Sequence, residues 1–175
     1  MSSSCYDFAI PDAAQFSTEQ MEKVDACLDE LVGSTGAPTI LLTDTTGQLI
    51  VSRGHIDAKK AEALAALIAG SHAASVEFIK LLAKKTPFIN LLHETEDYSI
   101  FSTSVADVVI LSVAFGNEVK IGVVRVFVEQ ARHRLSEIIH EVSMNNSEVV
   151  QVKMQLVDEE FDRLLDKELE KITEH

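Results

Sequence analysis

The 175-residue chain is poor in cysteine, with two, and in lysine and arginine, with 15 against 28 aspartates and glutamates. Cys5 and Cys27 are too few for a disulfide framework and have no zinc-ligand spacing, so both read as reduced thiols of a cytosolic protein. A net charge of −13 leaves no basic stripe for phosphate backbones, so neither nucleic acid nor an anionic membrane surface is an expected partner. The seven glycines form no phosphate-binding loop, and the six histidines show neither HExxH nor another metal-ligand pairing. His55, His72, His93, His133, His140 and His175 therefore read as solvated or internally satisfied side chains, and no metal, nucleotide or other cofactor is expected. No secretory signal is expected either, because Met1-Ser2-Ser3-Ser4 has no basic residue and Pro11-Asp12 interrupts any apolar run. The longest weakly charged stretch, 98–117, holds Asp107 near its middle. A carboxylate there would cost a spanning helix about 2.5–3.5 kcal/mol, so two strands and a tight turn are expected instead.

Hydrophobic residues make up 46% of the chain, enough for a sizeable core. Residues 1–16 are small and weakly patterned and read as a flexible lead-in. Ser17 and Gln20 have capping-box spacing, after which Met21, Val24, Leu28, Leu31 and Val32 recur with helical period until Gly33 and Gly36. Two apolar runs, 39–43 and 48–52, flank Asp44-Thr45-Thr46-Gly47, a hairpin turn in which Asp caps local amides and Gly accepts positive φ.

Asp57 is placed to cap a long helix reaching about Lys85, ahead of the breaker Pro87. Its expected core stripe is Ala61, Leu64, Ala65, Ile68, Phe78, Ile79 and Leu82, with Leu67 at the margin. The opposite face, Ala63, Ala66, Ala69, Gly70 and Ala73, is small and smooth, which suits close contact with another helix. Alanine's helix propensity explains part of that stripe, but a mid-helix glycine costs about 1 kcal/mol and is not explained by it.

Three strands are expected at 88–94, 98–105 and 108–115, joined so tightly that all run antiparallel. A last helix begins near Ile121, burying Val124, Val128, Ala131, Leu135, Ile138, Ile139 and Val142, although 121–127 is equally compatible with a strand. Residues 144–175 read as an acidic amphipathic extension, with helix favoured over strand and a docking role for a basic partner as the sharper alternative to a solvated face. The whole is an α+β fold. One five-stranded antiparallel sheet lies between the long helix on one face and the N- and C-terminal helices on the other.

Residues 37–54, APTILLTDTTGQLIVSRG, resemble the signature hairpin of the Roadblock family, which includes dynein light chains and bacterial MglB-like regulators of Ras-like GTPases. Asp44, Gly47, Ser52 and Gly54 fall at its turn and strand-end positions, and 121–139 resemble the family's last helix. The resemblance covers about 18–142 and implies a Roadblock/profilin-like fold over residues 17–143. It further implies a small homodimer or heterodimer that binds a motor subunit or a Ras-like small GTPase and has no catalytic site, the bacterial relatives acting by reshaping the GTPase's switch loops.

If the sheet follows the family order, strand 88–94 is an edge whose Phe88, Ile89, Leu91 and Leu92 lack the gatekeeper charges of an exposed edge. Homodimerisation through that edge and the long helix is the expectation. Arg53 is the candidate partner contact, an arginine finger being the sharper possibility and an ordinary surface arginine the plainer one. Two functions remain open: a GTPase regulator that stimulates hydrolysis, or a scaffold that recruits partners regardless of nucleotide. An enzyme is disfavoured, because no nucleophile–base pair or metal cluster is visible.

Overall fold

Ser17 opens the first helix by reciprocal capping. Its hydroxyl accepts from the Gln20 amide at 3.2 Å, and its own amide donates to Gln20 Oε1 at 2.9 Å. The computed structural model describes residues 16–82 and 90–144. Helix α1 (Thr18–Thr35) passes through Gly33 and stops at Gly36, which adopts the left-handed conformation and donates its amide to the Val32 carbonyl at 2.8 Å. Strands β1 (Thr39–Asp44) and β2 (Leu49–Gly54) form the expected hairpin. Helix α2 (Ala58–Leu82) starts where the Lys60 amide donates to Asp57 Oδ1 at 3.0 Å. Strands β3 (Asn90–Glu94), β4 (Tyr98–Val105) and β5 (Val109–Gly116) follow, and then helix α3 over residues 121–144. The segment 121–127 is thus helical, with Val124 buried one turn before Val128.

All neighbouring strands are antiparallel, in the order β2-β1-β5-β4-β3, so β2 and β3 are the edges. Pleating sends alternate side chains to opposite faces. On one face Ile40, Leu42, Phe101, Val105, Leu111, Val113 and Phe115 meet Val24, Leu28 and Leu31 of α1 and Val124, Val128 and Leu135 of α3. Every residue expected on the buried stripe of α3 is buried. On the other face Leu41 and Ile110 pack against Ala61, Ile68 and Ala69 of α2. That side also contains Ser102 and Ser112, opposite each other across β4 and β5, with their hydroxyls 2.9 Å apart.

The stripe expected for α2 needs correction. Ala61, Ala65, Ile68, Ala69 and His72 are buried, whereas Phe78 and Leu82 point to solvent. No residue of α2 beyond His72 is buried, and the residues that pack on Leu41 and Ile110, Ala61, Ile68 and Ala69, all lie in its first half.

The chain divides into two compact units, Met1–Val142 and Ser143–His175, and all of these elements except the last two residues of α3 belong to the first. The lead-in expected over 1–16, apart from Phe16, and the extension from 145 onward lie outside the described residues, as do Phe88 and Ile89.

Candidate partner interface

Asp44 and Gly47 shape the turn from inside. Asp44 Oδ1 accepts from the Thr46 amide at 2.8 Å, the Thr46 hydroxyl at 2.7 Å and the Gln48 amide at 2.8 Å. With Oδ1 accepting all three of these local hydrogen bonds, Asp44 is a turn cap. Gly47, at φ 96, lies against α2: a Cβ built on it would stand 2.9 Å from Ala66 Cα and 3.4 Å from the Ala69 methyl. Two residues of the small α2 face are therefore used within the chain, to let this turn approach the helix. Gly54, at φ 94, sits where a Cβ would meet the Pro38 carbonyl oxygen at 2.1 Å. Ser52 is half-buried in the row it shares with Leu41 and Ser112.

Arg53 is less accessible than expected. Its side chain is 26% exposed and pairs with Asp25 and Asp29 of α1, with Nε to Asp29 Oδ1 at 3.0 Å. The His55 amide donates to the Pro38 carbonyl at 2.7 Å, so by alternation the hydrogen-bonded pairs of the hairpin include Arg53 with Ile40. The peptide groups of Ser52 consequently point away from β1. The Ser52 carbonyl accepts from Arg53 Nη1 at 3.0 Å, so Arg53 both pins β2 to α1 and covers part of the β2 edge. That edge is guarded.

The opposite side of the molecule is not. Along the outward face of α2, Ala63, Leu67, Gly70, Ala73, Ala74, Phe78 and Leu81 recur at helical spacing and are all exposed. Leu67 is 72% exposed, Phe78 64%, Leu81 85% and Leu82 75%. Between Glu62 and Glu77 the helix has no formally charged side chain, although the whole chain carries −13. By length and composition alone α2 is apolar enough to cross a membrane, but its inner stripe rests on the sheet. Of the residues expected on this face, Ala63, Ala66, Gly70 and Ala73 are exposed and Ala69 is buried.

Leu67, Phe78 and Leu81 were not expected there. The available signal was that they share a helical register with Gly70. The stripe adjoins β3 through Ser71, whose hydroxyl is 3.3 Å from His93 Nε2. Leu91 and Leu92, the residues of the expected β3 edge that are described, are half-buried, opposite Ser102 and Phe101.

The remaining surfaces offer less. Cys27 is buried between α1 and α3, its thiol donating to the Ala131 carbonyl at 3.8 Å, and burial pushes its pKa up, away from the reactive thiolate. Lys23–Glu141 and Arg134–Glu30 tie α1 to α3 around it. Arg132 holds the Glu129 carboxyl below its usual range. Among the described residues no group of three or more His, Cys, Asp or Glu side chains is placed to hold a metal ion.

A five-stranded antiparallel sheet with one long helix on one face, two helices on the other and an uncovered apolar flank defines an α+β module of Roadblock type. The Roadblock/LC7 domain family matches residues 23–115, more than half of the chain, and the chain belongs to that family. Among solved structures, Myxococcus xanthus MglB is 32% identical, with a TM-score of 0.67 over 73% of this chain and 94% of that one. The gliding protein MglB of Thermus thermophilus shares the fold at 24% identity and a TM-score of 0.67, covering 72% of this chain and 95% of its own. An MglB with a tetrameric arrangement shares it at 24% identity and 0.66, covering 73% and 95%. No curated protein sequence matches the chain.

Proposed function

We propose that the protein is a non-enzymatic cytoplasmic homodimer that binds a Ras-like small GTPase and stimulates its GTP hydrolysis. The observation that carries this reading is the uncharged, exposed stripe of α2 running from Ala63 to Leu81 beside the open β3 edge. An apolar flank of that length on a strongly acidic chain marks a surface made to be covered. Membership of the Roadblock/LC7 family and the 32% identity to Myxococcus xanthus MglB support the assignment.

Pairing β3 with its copy about a twofold axis would join two sheets and bring two α2 helices together, forming a platform wide enough for a partner. Binding one switch conformation of a GTPase more tightly than another shifts its population toward the hydrolysing state, which needs a surface and no catalytic side chain. The position of Arg53 favours this mechanism over an arginine finger. Reaching into another protein would first break its pairs with Asp25 and Asp29.

The test is phosphate release from a Ras-like GTPase encoded beside this chain, measured with and without it, together with complex formation in the GDP and GTP states. Faster release and preference for one nucleotide state are expected. Equal binding in both states would favour the scaffold reading, and no complex in either would end the proposal.

A further inference from the structure

The β3 edge also specifies how two copies meet. The Thr95 amide donates to the Tyr98 carbonyl at 2.9 Å, and by alternation the hydrogen-bonded pairs of β3 with β4 are His93 with Ile100 and Leu91 with Ser102. The peptide groups of Asn90, Leu92 and Glu94 therefore point outward. Antiparallel pairing of Asn90–Glu94 with its own copy uses all three when Leu92 lies on the twofold axis, which sets Asn90 opposite the partner's Glu94. Within Asn90–Glu94, centring on Leu91 or His93 pairs only two of the three.

Side chains of directly opposed residues share a face, with Cβ atoms about 4.5–5.5 Å apart. Asn90 also lies opposite Thr103, so that shared face is the α1/α3 side. There Asn90 lines a cavity of about 330 Å³ with Phe101, Thr103, Arg125, Val128 and Glu129. The cavity is electrostatically incomplete. Arg125 lies 5.8 Å over the Phe101 ring and has no ion pair among the described residues. Glu129 already pairs with Arg132, and the buried Thr103 hydroxyl has no hydrogen-bond partner among the described residues. A carboxylate is the missing group, and the strand register delivers one.

We infer that two copies join β3 to β3 with Leu92 on the twofold axis, so that the partner's Glu94 enters this cavity and pairs with Arg125. The inference rests on the homodimer reading above and adds its register and its cross-subunit contact.

Single cysteines in a Cys5→Ser, Cys27→Ala background read the register. Under mild oxidation Leu92→Cys should give a disulfide-linked dimer, while Leu91→Cys and His93→Cys alone should not. Arg125→Glu and Glu94→Arg should each weaken dimerisation by about fivefold in sedimentation, and the double variant should recover most of the loss. Links at 91 or 93 instead of 92 overturn the register, and absence of recovery in the double variant overturns the ion pair. A concentration-independent monomer mass for the unaltered chain overturns the homodimer reading itself, so the two failures are distinguishable.

Discussion

Gly54→Ala tests whether the signature glycine is structural. At φ 94 its new Cβ would stand 2.1 Å from the Pro38 oxygen and 2.7 Å from the Pro38 carbon, closer than real Cβ atoms come. Both clashing atoms are backbone, so no side chain can swing away. Relief requires the start of β1 to part from the end of β2, which breaks the 2.7 Å hydrogen bond from the His55 amide to that same oxygen. Losing the bond costs about 1 kcal/mol, and a non-glycine residue at positive φ costs about 1–2 kcal/mol. The expected loss is therefore about 2–3 kcal/mol, a fall in melting temperature of roughly 10 °C for a domain of this size.

Gly70→Ala is the control. Nothing lies within 4 Å of its Cβ position, and it sits within a helix, so the fold should gain about 0.5–1 kcal/mol. Urea unfolding followed by circular dichroism, at one fixed protein concentration so that self-association is held constant, compares the two. A Gly54→Ala variant within about 0.5 kcal/mol of the parent would refute the argument.

Other perturbations separate folding from association. Phe78→Glu with Leu81→Glu changes exposed positions, so unfolding free energy measured on the monomer should move by no more than about 0.5 kcal/mol while dimer formation in light scattering is lost. Ala106 and Asp107 both have positive φ, at 51 and 60, in the turn closed by the Val108 amide on the Val105 carbonyl at 3.2 Å. Ala106→Asn with Asp107→Gly matches that turn and should raise stability by about 0.5–1 kcal/mol in thermal melts.

The Glu129 carboxyl titrates below its ordinary 4.5 because Arg132 hydrogen-bonds it. Its folded pKa lies under its unfolded one, so its contribution is present above about pH 4.5 and is lost as pH falls through the folded value. Glu129→Gln should be less stable than the parent at pH 7 and converge with it as the pH falls below the folded value, in urea titrations at several pH values.

The stripes of α1 and α3 were legible because both helices bury one face along most of the described length, so period and burial coincide from Val24 to Leu31 and from Val124 to Val142. The capping box and the Asp44 turn were legible because their partners are two to four residues away. The outer half of α2 was not. Phe78 and Leu82 are apolar at core spacing, yet whether they meet a floor depends on where the sheet lies under the helix, and its strands come from up to about 40 residues away on either side in the sequence. The pairing of Arg53 is illegible for the same reason, since its two carboxylates lie on another helix.

Local order, then, belongs to the amino-acid string: helix starts, turn glycines, strand alternation and the family they spell are set by neighbours a few bonds apart. Which surfaces remain open is a property of the assembled object. Only the folded chain shows that Arg53 guards the β2 edge, that Ala66 and Ala69 receive Gly47, and that the peptide groups of Leu92 face outward. Each of these depends on groups distant in sequence coming within a few ångströms, and no periodicity encodes that distance.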